Sequence, residues 1–347
     1  MHLTLKYSLL IFLYLINLKV VAQNPQSNEN GIRLMFYNVE NLFHPDDDTL
    51  KRDDQFTAEG TKHWTYGRYR KKLNNIAQNI IAVGEWEPPA IVGLCEIENL
   101  QCLKDLLNLT PLKSFGYEII HQESKDQRGI DVAIIYRPEF FRLHYQESIE
   151  LIFPENHHPT RDILYIKGTV DSDTLHCFVN HWTSRYGGQS ETAPKRNYSA
   201  QVLKSKFDSI QTLDHNANII ALGDFNDYPT DHSILNVLGA KKDTSNLKET
   251  DLINLTSQFE NGIGTNKYQH QWHVLDQCII NQNLLNNQYG LYTGFSFTKI
   301  FSPEWLLTDE SDGFGRKPFR TYNGFKYIGG YSDHLPIYVD VYKTKKE

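Results

Sequence analysis

Short apolar runs of strand length recur along this chain, and five of them begin or end in a polar cluster able to do chemistry. Asn38 and Glu40 follow the first (MFYNVEN), Glu96 and Glu98 the second (GLCEIEN), and Asn180 and His181 a third (FVNHWTSR). Asp224 and Asn226 follow ALG (GDFND), and Asp333 and His334 precede the last run (YSDHLPI). Short apolar runs bounded by turn signals read as strands buried on both faces. A carboxylate or imidazole just beyond such a strand is held rigidly and still reaches solvent, and catalytic groups concentrate on connections of that kind. If the last strand runs antiparallel to its neighbours, its start lies beside their ends, and Asp333 and His334 join the same rim.

Between these runs lie helical patterns. Leu73, Ile76, Ala77, Ile80 and Ile81 recur at amphipathic spacing, and Pro88-Pro89 ends that segment. Asn99 is placed to cap a helix carrying Leu100, Leu103, Leu106 and Leu107, and Pro194 to open one carrying Val202, Leu203, Phe207, Ile210 and Leu213. Asp171-Ser172-Asp173 joins two strand runs as a hairpin turn. Strands that neighbour strands, mixed with strand–helix alternation, argue against a purely parallel sheet. They predict one continuous α/β domain over residues 31–343, with two packed sheets covered by helices.

Charge narrows the function. The formal net charge of the 347-residue chain is -7, and without the first 22 residues, which hold Lys6 and Lys19, 33 basic residues face 42 acidic ones. A broad basic surface for polyanions is thereby excluded, but a phosphate held locally by a metal ion is not. Lys6, the apolar run Ser8–Leu18 and Val20-Val21-Ala22 before Gln23 read as an export signal over residues 1–22, with a polar leader over 23–30. A periplasmic or secreted protein is the expectation. Cys95, Cys102, Cys177 and Cys278 have no zinc-type spacing, and three of them lie in apolar runs, as small buried hydrophobes do.

Taken jointly, FYNVENLF, IVGLCEIEN, RGIDVAIIY, VNHWTSR, LGDFND, VLDQCII and YSDHLPI resemble the endonuclease/exonuclease/phosphatase superfamily over residues 31–343. The resemblance implies a four-layer α/β sandwich, two mixed β-sheets flanked by helices, and metal-dependent hydrolysis of phosphate esters. It implies a divalent-metal site, for Mg²⁺ or Mn²⁺, at Asn38, Glu96 and Asp333. Carboxylate and carbonyl oxygens are hard ligands that suit those ions. His334 resembles the family's general base or phosphate-orienting histidine, with Asp276 as its carboxylate partner. Asp224 and Asn226 match the pair that orients the nucleophile and holds the phosphate. His181 matches a second histidine of the deoxyribonuclease and sphingomyelinase branches, with Asn180 beside it. On looser local matches Asp131 is the acid expected beside His181, and Arg161 a phosphate-contacting arginine. Glu40 and Glu98, two residues past Asn38 and Glu96, would share their faces on extended chain.

The branch is less sharply marked. No tryptophan precedes Gly223, and Asp276 is followed by Gln277 rather than arginine, which speaks against the inositol-phosphatase branch. An exported nuclease, with nucleic acid as substrate and a monomer without a stable protein partner, is the expectation. A sphingomyelinase-like phosphodiesterase and a catalytically silent binding protein on the same fold are the alternatives. Two stretches mix aromatic with basic residues, Lys62–Lys72 and Phe301–Gly330. The first reads either as a phosphate contact or as the solvated start of its helix, the second either as a nucleic-acid groove or as a packed surface loop whose aromatics fill their own core.

Overall fold

The computed structural model describes residues 31–344, except 86, 154–158, 246, 249, 286–289 and 311. The export signal and leader lie outside the described residues.

In the first half of the chain the elements are β1 (Gly31–Leu42), α1 (Tyr66–Gly84), β2 (Ile91–Ile97), α2 (Leu100–Asn108), β3 (Glu118–His121), β4 (Asp131–Tyr136), β5 (Arg142–Ile149) and β6 (Ile163–Val170). Then come β7 (Asp173–His181), α3 (Gln189–Leu213), β8 (Asn218–Asp224), β9 (Ala240–Lys241), β10 (Leu252–Asn254), β11 (Asn266–Tyr268), β12 (Gln271–His273) and β13 (Asp276–Asn281). The last are β14 (Leu291–Tyr292), β15 (Thr298–Ile300), β16 (Leu307–Asp309), β17 (Arg316–Pro318), β18 (Tyr322–Asn323), β19 (Lys326–Tyr327) and β20 (Ile337–Lys343).

Two seven-stranded sheets form the centre, one ordered β14-β20-β1-β2-β4-β3 with β15 also on β20, the other β5-β6-β7-β8-β13-β10-β9. Both are mixed: β1 and β2 run parallel, as do β7 and β8, whereas β20 is antiparallel to β1 and β13 to β8. Alternation along β1 shows how the layers arise. Leu34 and Phe36 face the other sheet and meet Ile166, Val179 and Leu222, whereas Met35, Tyr37 and Val39 face outward under Ile76, Ile80 and Leu103 of α1 and α2. A third cluster covers the far face of the second sheet with Ala200, Leu203 and Phe207 of α3. The result is the expected α/β/β/α sandwich, with both faces of each sheet buried.

Local signals act as the sequence predicts. The Asn99 side chain accepts from the Cys102 N–H at 3.0 Å and caps α2. Val170 pairs with Asp173 across a two-residue turn in which Asp171 is left-handed (φ 52°). All four cysteines are free and buried. Two expectations about α3 are corrected. The helix begins at Gln189, so Pro194 lies inside it rather than opening it. Leu213, expected on the buried face, is 88% exposed at the last position of α3.

The sheets meet closely at Gly93. A methyl group there would lie 2.9 Å from both γ-carbons of Val179 on the opposing sheet. Gly93→Ala is therefore expected to cost about 1–3 kcal/mol through overpacking, read as a lower urea midpoint at unchanged slope. A midpoint equal to the parent's would mean that the sheets yield at this point.

Candidate active site

The ends of β1, β2, β7 and β8 and the starts of β13 and β20 converge on one edge of the sandwich, because parallel and antiparallel pairings alternate. Asp224 lies opposite His181 in the β7–β8 pair and opposite Asp276 in the β8–β13 pair. The Asn38 amide donates to Asp224 Oδ2 at 3.0 Å and to Glu96 Oε1 at 3.3 Å, tying the two sheets together at the rim. Asp224 Oδ1 accepts from the Asn226 N–H at 2.9 Å. The second carboxylate oxygen of Glu96 accepts from the Asn41 N–H at 2.9 Å.

Two imidazoles enter this cluster. His334 Nδ1 lies 2.6 Å from Asp276 Oδ2, and its Nε2 is directed to Asp224 Oδ2 at 3.9 Å. His181 Nε2 stands 3.7 Å from the same Asp224 oxygen and 3.9 Å from Glu96 Oε1. Burial by itself lowers the pKa of His334, but Asp276 and Asp224 outweigh it and hold the ring well above the usual histidine value. His181 is pushed the other way, first by burial and then by the charges of Arg161, Arg128 and His334. Burial raises Asp224 to about 7, against the pull of His334. The site thus pairs a cationic imidazole with a carboxylate that titrates near neutrality, the combination that general acid–base chemistry requires.

Four site residues other than glycine have left-handed backbone: Glu40 (φ 54°), Asn41 (φ 57°), Glu96 (φ 63°) and Asn226 (φ 51°). Strain of this kind persists where surrounding structure over-determines it, as at functional sites. In β1 and β2 it accompanies register breaks, between Asn38 and Leu42 and between Cys95 and Ile97. These breaks overturn the expectation that Glu40 and Glu98 share the faces of Asn38 and Glu96. Glu40 instead accepts from Arg320 Nε at 2.9 Å and from the Thr321 N–H at 2.6 Å. Glu98 accepts from the His44 N–H at 2.5 Å, on the side of α2.

The other residues singled out in the sequence fall into place around this centre. Asp333 pairs with Arg320 Nη2 at 3.1 Å, next to the cluster rather than within it. Asn226 Nδ2 donates to the Trp182 carbonyl at 3.1 Å. Both polar ends of the Asn180 amide are engaged internally, with the Leu222 carbonyl and Trp182 Nε1. Arg161 is buried, bound to Asp126 and the Trp182 carbonyl, with Nε unpartnered among the described residues. Asp131 is not the partner of His181: it faces His121 at 3.2 Å and the Ser124 N–H, and His181 Nδ1 is buried without a hydrogen bond among the described residues.

Sequence reasoning missed Lys72 and Arg320 as parts of the site. Lys72, Asn75 and Asn79 form a buried polar stripe on α1, beside the apolar one. Lys72 Nζ donates to Thr321 Oγ1 at 2.5 Å and to the Tyr331 carbonyl at 2.6 Å. Asn75 Nδ2 donates to the Gly330 carbonyl at 2.7 Å, and Asn79 Nδ2 to the Tyr37 hydroxyl at 2.8 Å. Lys72 and Asn75 anchor the segment that delivers Asp333 and His334, Asn79 holds β1, and the signal, polar residues at helical spacing, is present in the sequence. Lys72 is therefore neither a phosphate contact nor the solvated start of a helix. Within Phe301–Gly330 the aromatics pack mainly on one another, Trp305 on Phe301 and Tyr331, and Tyr322 on Tyr327. Phe314 and Phe325 remain exposed, and Lys62 lies over the rings of Tyr322 and Phe325.

For a divalent metal the donor set fits. Asp224, Asp276 and His334 also bring possible ligand atoms within 4.8 Å of one another, but Asp276 and the cationic His334 ring answer each other, which leaves the ion to the carboxylate oxygens on the Glu96 side of the cluster. Glu96, with Asn38 beside it, adds the most accessible carboxylate of the cluster, its side chain 18% exposed.

Comparison with known proteins gives the same picture. The model of the Endonuclease/Exonuclease/phosphatase family matches residues 33–343. A search of curated proteins finds no match. Among solved structures, an endonuclease/exonuclease/phosphatase family protein from Bacteroides thetaiotaomicron superposes with a TM-score of 0.56 at 14% identity, covering 91% of this chain and 99% of that one. D. rerio TDP2 complexed with single strand DNA product gives 0.54 at 13%, covering 90% and 98%. The human Nocturnin catalytic domain with bound sulfate anion gives 0.53 at 17%, covering 90% and 95%. At these identities the likeness is one of fold.

Proposed function

The chain belongs to the endonuclease/exonuclease/phosphatase family, whose members hydrolyse phosphoester bonds, and from that premise we propose that it is an exported, divalent-metal-dependent phosphodiesterase acting on nucleic acid. The observation that carries the reading is the meeting of His334, Asp276, Asp224, His181, Asn38 and Glu96, from six separate strand ends, each within 3.9 Å of another member of the group.

Asn38 and Glu96, with Asp333 nearby, would hold Mg²⁺ or Mn²⁺. When bound, that ion neutralises charge on the phosphoryl oxygens. The residues of the chain do the rest. Asp276 fixes the ring orientation of His334 and stabilises its cationic form, so Nε2–H is free to donate to a phosphate oxygen. Asp224, poised near neutrality, accepts the proton of the attacking water. The Asn226 backbone N–H holds Asp224 in place. His181, kept neutral by its burial, donates a hydrogen bond from Nε2–H to the leaving oxygen, which takes its proton from solvent.

Support for nucleic acid is of two kinds. A structure of the same fold, D. rerio TDP2, holds a single strand DNA product. Here exposed Phe314 and Phe325 stand on the segment that leads into the site, with Lys62 against Phe325. Aromatic faces interleaved with cations are what stacked bases require. The apolar run near the N-terminus supports export.

Plasmid nicking and bis-p-nitrophenyl phosphate hydrolysis, with Mg²⁺ or Mn²⁺ and with EDTA, test the proposal. Turnover of both substrates is expected with either metal and its loss with EDTA. Absence of metal-dependent turnover of any phosphodiester would defeat the reading, and turnover of sphingomyelin alone would move it to lipid.

A further inference from the structure

The β11–β12 hairpin is fastened to both elements that deliver the catalytic pair. Asn266 bridges to His334 as a strand partner, and its side-chain amide donates to the Asp333 carbonyl at 3.0 Å. The Thr265 carbonyl accepts from the Leu335 N–H at 2.7 Å, and Thr265 Oγ1 accepts from the Asp276 N–H at 3.0 Å. Register sorts the hairpin into two faces. Asn266 pairs with His273 and Tyr268 with Gln271, so these four share one face, and Lys267 and Trp272 share the other. Lys267 closes its face by binding Glu310 at 2.7 Å and the Arg316 carbonyl at 3.1 Å. The face of Tyr268 and Gln271 is open, with Tyr268 65% exposed.

A stack of flat groups edges that open face. The His273 ring lies on Tyr228, with 4.7 Å between centroids and 13° between planes, and the Arg185 guanidinium lies over the same Tyr228 ring at 3.8 Å. Two planar groups this near cannot share one face of a ring, so the three form successive layers. Arg185 is locked in turn: its Nε donates to the Asn226 carbonyl at 2.8 Å, and its Nη2 donates to Asp227 at 3.0 Å and to Asp231. With two carboxylates answering its charge, it is the base of the stack rather than a contact for phosphate. Tyr228 stands two residues past Asn226 and Arg185 four past His181, so the stack begins where the catalytic cluster ends. Burial, and then the charge of Arg185, hold His273 below the ordinary histidine value, which keeps the ring neutral.

Tyr268 is the diagonal neighbour of His273 across the hairpin, a separation of about 7–8 Å. A flat ring needs about 3.5 Å on each side, so this interval takes one aromatic heterocycle.

We propose, building on the nuclease reading above, that His273 and Tyr268 seat the nucleobase next to the scissile phosphate on the side of Asn226 and His181, with Tyr228 and Arg185 as the support behind His273. A base enters such a seat only out of its own stack, and leaving a duplex costs pairing and stacking energy. The preferred substrate is therefore a single strand.

Metal-dependent hydrolysis by the full chain of a single-stranded oligonucleotide, of the same sugar-phosphate chain without bases, and of the paired duplex tests this. The parent is expected to show a kcat/KM about 10- to 100-fold higher on the base-bearing strand than on the baseless chain, and to cut the duplex more slowly than the single strand. Tyr268→Ala, at an exposed position, and His273→Ala are each expected to lose about tenfold on the base-bearing strand, mainly in KM, while the baseless chain is turned over as before. Tyr268→Phe is expected to keep the parent's preference, because the ring is what stacks. Equal kcat/KM for the two chains in the parent, a duplex cut faster than the single strand, or a Tyr268→Ala enzyme that matches the parent would overturn the seat alone. Equal losses on both chains in His273→Ala would overturn it too, making the stack a support of the fold. Absence of turnover of either chain by the parent would defeat the phosphodiesterase reading and the seat with it.

Discussion

His334→Ala is expected to lower metal-dependent phosphodiester hydrolysis by about 10³-fold, within the range usual for a general acid–base group. The ring is the one group of the site that spans from an orienting carboxylate, Asp276 at 2.6 Å, to the carboxylate poised near neutrality, Asp224 at 3.9 Å. Removing it takes away the cation that faces the phosphate and the group that restrains Asp224. Asp276→Asn keeps the shape but no longer stabilises the cationic ring, and a smaller loss, about 10²-fold, is expected. Urea unfolding should still show one cooperative transition for both variants, with the His334→Ala midpoint lowered because the buried Asp276 carboxylate loses its partner. A His334→Ala enzyme that retains turnover with an intact fold would remove this residue from the mechanism.

Lys72→Met is expected to cost about 3 kcal/mol of stability, because it leaves two buried acceptors, Thr321 Oγ1 and the Tyr331 carbonyl, without their donor. Burial lowers the Lys72 ammonium to about 8 against the pull of Glu40, Asp333 and Glu96, so the charge is held at a cost in a place where carboxylates gather. Losing it leaves Arg320 as the cation paired with Glu40 and Asp333. Turnover should fall along with stability, since the freed segment carries Asp333 and His334. Lys72→Arg is not expected to rescue, because a planar guanidinium does not fit a pocket shaped for a compact ammonium. Equal urea midpoints for Lys72→Met and the parent would show that the stripe on α1 does not hold this segment.

Much of this architecture was legible in the chain. Alternating Leu34-Phe36 and Met35-Tyr37 gave two buried faces to one strand, and the spacing from Leu73 to Ile80 gave its cover. The clusters at the strand ends named Asn38, Glu96, Asp224 and His334 before any fold was in view. What failed was extrapolation by strand period. Glu40 and Glu98 were placed two residues on from Asn38 and Glu96, yet left-handed residues and register breaks turn them to other partners. The local match that pairs Asp131 with His181 is loose, and the neighbouring strand supplies His121 to Asp131 instead.

The acidic balance of the chain also acquires a location. Glu96, Asp224, Asp276, Asp333 and Glu40 gather at one rim, answered within the fold by Lys72 and Arg320 rather than by a basic surface.

The sequence by itself determined which segments are buried and where chemistry-bearing side chains stand along them, because burial periodicity and turn chemistry are local properties. Only the tertiary structure decided which of those side chains meet. Glu40 finds the Thr321 N–H across 281 positions, and Asn38 finds Asp224 across 186. Contacts over such separations are set by how two sheets are registered and stacked, and that depends on the packing of the whole core rather than on any stretch of chain.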